Sequence, residues 1–265
     1  MTTNWDAESV LAASTAWTWV PDGAPHVRTA EYLVVAYPEH FVTPTAARVL
    51  GSDRPAGELV DEVADVVRGW GRERLWWRLS DTTRPASLEA EVVARGARLV
   101  DRMDVLALPL GPGRSLPDLQ VPADVRVEAV VDERTVRDAL VVGADAFGAE
   151  EPSADQVATA LADVEQGLAD GTSGRWVASV DGQPAATGGF TLADGVCRLW
   201  GGGTRATLRG RGAYRAVLAA RLVAARDAGA TLALTHGVVE TSSPILRRAG
   251  FTRYGEERTL VQVLA

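Results

Sequence analysis

The chain has 265 residues, 46% of them hydrophobic, and carries 35 Asp and Glu against 27 basic residues, for a formal net charge of -8. That length suits two compact units better than one, and the acidic balance argues against nucleic acid as a partner. The single cysteine, Cys197, excludes an internal disulfide framework, and no apolar run approaches the length that spans a bilayer. Met1 to Val10 shows no basic region followed by an apolar run, so no signal peptide is expected; a cytoplasmic protein without membrane partners is.

In chain order, Leu11 to Val20 is helix-like but poorly patterned, and Glu31 to Tyr37 reads as a strand stopped by Pro38. Phe41 to Leu50 is ambiguous. Ala56 to Trp70 predicts an amphipathic helix with Leu59, Val63, Val66, Val67 and Trp70 at helical spacing, ended by Gly71. Arg74 to Leu79 predicts a strand, Ser87 to Ala94 a short helix capped by Ser87, and Arg98 to Leu110 a long strand. Gly111 to Pro117 reads as a linker, which sets domains at 1–118 and 119–265.

The second half predicts a strand at Val125 to Val130, then helices at Glu133 to Phe147 and Ser153 to Leu168. Ser153 and Gln156 stand at capping-box spacing. Strands follow at Arg175 to Val180, Pro184 to Leu192 and Val196 to Gly203, the first two joined by the Asp181-Gly182 hairpin signal. After a further helix come a strand at Thr231 to His236, a short helix at Ser242 to Ala249, and a closing strand at Phe251 to Leu264 with a break expected near Gly255.

The stretch Arg198 to Ala228 stands out. A strand runs into Gly201-Gly202-Gly203, then Arg209-Gly210-Arg211-Gly212, then a helix with Tyr214, Val217, Leu218, Leu222 and Ala225 on one face. A helix start exposes unpaired N–H groups and positive partial charge, which favours an anion. Gly210 and Gly212 would let a phosphate approach the backbone, and Arg209 and Arg211 would add planar cationic donors. A solvated glycine-rich turn is the competing reading. The spacing fits neither a nucleoside-triphosphate loop nor a dinucleotide fingerprint.

The order of elements from 119 onward, the run Arg209 to Ala213, and Ile245-Leu246-Arg247-Arg248-Ala249-Gly250-Phe251 resemble the GCN5-related N-acetyltransferase family. Tyr214 departs from its first signature, which ends in Gly or Ala. Residues 1–118 look like a degenerate copy, since the matching bend, Gly51 to Gly57, carries Asp53 and no glycine-arginine turn. The resemblance implies an α/β (α+β) fold of two tandem domains, each a mixed, mostly antiparallel sheet flanked by helices. It implies acetyl-CoA as cosubstrate, gripped by Arg209, Gly210, Arg211, Gly212 and Ala213, with main-chain contacts from Gly203, Thr204 and Ala206. It implies direct transfer to an amine in a ternary complex, with no metal, by a monomer or homodimer.

Three features of that family are missing. Val239 stands where an Asn is common, Leu246 where a Tyr protonates the leaving thiolate, and Cys197 to Gly203 holds no carboxylate. The substitutes are His236 at a strand end, Glu150 in the loop between the two helices, and Ser243 at a helix start, each with a bland structural role as the competing reading. An acyl-CoA-binding regulatory or scaffold protein without turnover is the alternative function.

Overall fold

The computed structural model describes residues 5–39, 41–111 and 113–264; Met1 to Asn4, Ala265, His40 and the linker's Pro112 lie outside them. The chain sorts into two compact units, each discontinuous in sequence. The first contains 107–235 with 248–251, and the second 6–106 with 236–247 and 252–265. The sequence placed the closing strand with residues 119 onward, whereas the structure places it in the second unit.

In that second unit, helix α1 (Ala7–Ala16) opens with a capping box in which Asp6 and Ser9 satisfy each other's backbone N–H groups. Strands β1 (His26–Arg28), β2 (Tyr32–Ala36) and β3 (Thr45–Val49) form an antiparallel meander. Helix α2 (Ala56–Gly69) crosses over to β4 (Arg74–Ser80), which runs parallel to β3. Leu59, Val63 and Val67 of α2 bury against Tyr32, Val34, Ala47, Leu75 and Trp77 on one sheet face. Helix α3 (Leu88–Ala94) adds Leu88 and Val92 to that core. Ser87 makes no side-chain cap, contrary to expectation. Strand β5 (Arg98–Pro109) follows.

Unit one begins with β6 (Arg126–Ala129), α4 (Glu133–Phe147) and α5 (Ala154–Asp170). Both helices start on capping boxes, Asp132 with Thr135 and Ser153 with Gln156, the second as predicted. Strands β7 (Ser173–Val180), β8 (Gln183–Ala193) and β9 (Val196–Thr204) form a second meander. Positive φ at Asp181 and Gly182, and again at Asp194 and Gly195, makes the two hairpin turns. Helix α6 (Ala213–Asp227) then crosses over to β10 (Leu232–Val238), which runs parallel to β9. Val177 faces the α4 and α5 core, while Ala178 and Val180 face Ala213, Ala216 and Val217 of α6.

A meander, a crossover helix and a parallel strand thus occur twice. Helix α7 (Ser242–Arg248) precedes β11 (Thr252–Val263), which pairs antiparallel with β4 from Glu257–Ser80 to Val263–Arg74. No break occurs at Gly255. That glycine makes room for α1, because a Cβ there would stand 2.8 Å from Leu11 Cδ2. The buried Trp77 Nε1 donates to Gln262 Oε1 at 2.8 Å across the β4–β11 pair. Trp77→Phe should therefore cost about 1–3 kcal/mol in a urea titration, by leaving Gln262 unpaired. An unchanged midpoint would show that this bond adds nothing.

Candidate functional site

Strand β9 carries one residue more than its neighbour. Gly189 pairs with Trp200 and Thr187 with Gly203, so two residues of β8 span three of β9. The surplus makes a bulge, and Gly201 takes φ +59° in it, a conformation that favours glycine. The parallel ladder with β10 covers only Leu232–Leu234 against Val196–Arg198. Past it, Gly201 and Gly202 are exposed. Gly203 is packed beneath α4, where a Cβ would fall 2.7 Å from Ala146 Cβ.

After Thr204, a single 3₁₀ turn (Ala206–Leu208) leads to the glycine-arginine bend and α6. Unlike α4 and α5, α6 has no side-chain cap. Its first-turn N–H groups are therefore left for solvent or a ligand. The two glycines of the bend differ. Gly210, at φ +80°, has no atom within 4 Å of a Cβ position and is open. Gly212, at φ +84°, would drive a Cβ to 2.5 Å from Pro122 Cδ. Packing and backbone conformation alone require glycine here, whereas only the left-handed conformation does so at Gly210.

The charges divide as well. Arg211 Nη1 bonds Asp181 Oδ2 at 2.7 Å, and Asp124 lies 3.9 Å away, so this cation is largely spoken for. Arg209 turns back to donate Nε to Thr204 O at 3.4 Å. Arg209 and Arg215 have no ion pair among the described residues, and Arg215 Nη2 lies beside Gly212. The Ala206 N–H donates to Asp145 Oδ1 at 3.1 Å, so that expected main-chain donor is already satisfied. The open, uncapped end with Gly210, Arg209 and Arg215 has the charge and the backbone donors that suit an anion. Glu150 lies in the same unit, exposed in the loop after α4.

His236 and Ser243 belong to the second unit. Ser243 is 1% exposed and its hydroxyl donates to Asp104 Oδ2 at 2.6 Å, with Arg253 on the other carboxylate oxygen. That hydroxyl anchors α7 and is not free to give a proton to a thiolate. Ser242 Oγ accepts from the Val238 N–H at 2.8 Å and closes the preceding turn. Leu246 is buried. The His236 side chain is 25% exposed; its Nε2 has no hydrogen-bond partner and stands 3.8 Å from Glu257 Oε2. Burial pushes its pKa down; Glu257 opposes, and Arg48 and Arg78 add to the depression. Glu257 is buried, which by itself would raise its pKa. Arg48 at 2.7 Å, with His236 and Arg78, outweighs burial and holds it at about 2.

No family model matches the chain, and no curated protein does. Solved structures do. A GCN5-related N-acetyltransferase from Kribbella flavida superposes with TM-score 0.67 at 20% identity, over 97% of this chain and 95% of that one. One from Sphaerobacter thermophilus gives 0.66 at 17%, over 88% and 80%. A tandem GNAT protein from the clavulanic acid biosynthesis pathway gives 0.59 at 14%, over 96% and 87%. The fold is that of the GCN5-related N-acetyltransferases. Within that acetyltransferase fold, the glycine-arginine bend stands between the third strand of the meander and its crossover helix.

Sequence reading missed three groups. Arg221 was legible, since it falls on the stripe of Val217, Leu218, Leu222 and Ala225 that faces the core. Asp145 and Glu257 gave no local signal, because their partners are far off in sequence.

Two outcomes are expected. Gly212→Ala should destabilise by about 1–3 kcal/mol in chemical denaturation, and Gly210→Ala by less, because only the former adds a clash to the strained φ. Equal losses would put both glycines on the same footing. Second, a base whose folded pKa is depressed binds fewer protons folded than unfolded, so its stability contribution is lost as pH falls below its ordinary 6.5. A depressed carboxylate acts in the same sense from 4.5 toward about 2. Urea midpoints should fall on acidification, and His236→Gln should flatten the part of the decline that begins as pH drops below 6.5. A parallel decline in both proteins would contradict the depressed imidazole.

Proposed function

We propose that this protein is an acetyl-CoA-dependent N-acetyltransferase acting on a primary amine. One observation carries the reading: in a chain with this fold, the uncapped start of α6 presents an open Gly210, with Arg209 and Arg215 free of acidic partners among the described residues. The diphosphate of coenzyme A would meet first-turn N–H groups with Arg209 and Arg215, and the acyl-pantetheine arm would lie along Gly203 and Thr204. In the transfer, the amine nitrogen bonds to the acyl carbon, the carbon–sulfur bond breaks and the thiolate leaves with the electron pair. The amine proton passes to a base. Glu150, exposed in the same unit as the bend, is our choice for drawing a cationic amine. The net charge of -8 agrees with a cationic acceptor.

A second reading, acyl-CoA binding without turnover, is favoured by a specific observation. Leu246 carries no acidic proton and the Ser243 hydroxyl is committed to Asp104, so neither supplies the leaving thiolate with a proton. Coenzyme A thiol release with a panel of primary amines separates the two. Turnover with at least one amine is expected, with acetyl-CoA affinity reduced about tenfold or more by Arg209→Glu through charge reversal at the helix start. Tight acetyl-CoA binding with no thiol release for any amine would favour the second reading; affinity unchanged in Arg209→Glu would remove the bend from the site.

A further inference from the structure

One arginine of the unit that holds the bend is buried and a second half-buried, neither with a carboxylate partner among the described residues. Arg221 of α6 is 1% exposed. Its Nη1 donates to Gly189 O at 3.3 Å and approaches Trp200 O at 3.5 Å, while Nε and Nη2 have no hydrogen-bond partner. Its guanidinium carbon stands 5.9 Å from the Tyr214 ring centre. Arg175 of β7 donates to Thr187 Oγ1 at 3.2 Å and Ala139 O at 3.0 Å, and lies 5.9 Å over the Trp200 ring. Neither has a carboxylate oxygen within 4.0 Å among the described residues. One approaches β8 and β9 from the α4 side, the other from the α6 side, and both reach Trp200.

A buried cation without an acidic partner costs several kcal/mol, and a leucine would fill the same place on the α6 stripe at no such cost. The sequence instead clears room for the guanidinium. A Cβ at Gly188 would fall 2.9 Å from Arg221 Cζ, while one at Gly202 would crowd Tyr214 Cε2 at 3.0 Å and only touch Arg221 Nη2 at 3.5 Å. The charge thus sits directly behind the surplus residue of β9. Its contact with Trp200 O turns that carbonyl toward α6. In a trans peptide the following N–H, that of Gly201, points the opposite way. A donor on the carbonyl also polarises the peptide and strengthens that N–H.

We propose that Arg221 is a positioning residue for acyl transfer: its uncompensated charge fixes the bulge at 200–202 and favours the negative charge that develops on the thioester oxygen and the departing thiolate. This rests on the function proposed above. It offers a substitute for the missing thiol-protonating side chain, because a nearby positive charge lets sulfur leave as thiolate.

The test uses the full chain, with acetyl-CoA affinity by calorimetry, Tm, and kcat with the best amine found. Arg221→Gln keeps a hydrogen-bond donor and loses the charge; kcat should fall about 100-fold while acetyl-CoA affinity stays within about threefold. Arg221→Lys keeps the charge and should hold kcat within about tenfold of wild type. Arg226→Ala, on the exposed face of the same helix, is the control. Unchanged kcat in Arg221→Gln overturns the proposal, as do equal losses of kcat and Tm in the Gln and Lys variants, which would mark a packing role. If Arg221→Gln does not fold, Arg221→Lys decides: a loss near 100-fold at unchanged Tm overturns it. A wild-type protein that fails to bind acetyl-CoA overturns the reading of the site itself, and is recognised by calorimetry before any variant is made.

Discussion

The surplus residue in β9 is the constraint on which the site depends. Two residues of β8 cannot match three of β9 without a kink, and Gly201 absorbs it at positive φ. From there the chain buries Gly203 under Ala146, turns through Ala206 to Leu208 with Asp145 holding the Ala206 N–H, and enters α6 at Gly212 wedged against Pro122. Each step is fixed by packing or a hydrogen bond within the unit. The helix start that results has no side-chain cap, where α4 and α5 have full capping boxes. Leaving this N-terminus open while closing those of α4 and α5 gives an anion a place to settle against backbone donors.

The charges around this bend are more selective than their number suggests. Arg211 is drawn to the hairpin acids Asp181 and Asp124, and so contributes to the architecture of the turn. Arg209 and Arg215 keep their charge for other uses. Arg221 is buried without an acidic partner among the described residues, at a cost that folding alone does not explain. Unit two shows the opposite economy: Arg48 is matched by Glu257, and Asp104 by Arg253 and Ser243.

Much of this was legible in the sequence because it is local. The Ser153 and Gln156 pair announced the start of α5, Asp181-Gly182 announced a hairpin, and the glycine-arginine run announced the bend. Strand β3 was not legible, because Thr45 to Val49 is buried throughout and shows no alternation. The pairing of β11 with β4 could not be read, since it joins residues nearly two hundred apart and leaves no mark on either strand's own pattern. Glycine identity was legible at 210 and 212, but its reason was not: one faces open space and the other a proline ring. Arg221 was visible as a charge on an apolar stripe, a signal easily read over as a solvated helix face.

The central claim is that main-chain N–H groups at the start of α6 hold the diphosphate of an acyl thioester carrier. A crystal structure with coenzyme A bound tests it most directly. The account predicts diphosphate oxygens within hydrogen-bond reach of the backbone at residues 210–214, with the pantetheine arm along Gly203 and Thr204. Coenzyme A seated away from this bend, or no binding at any concentration, would contradict it.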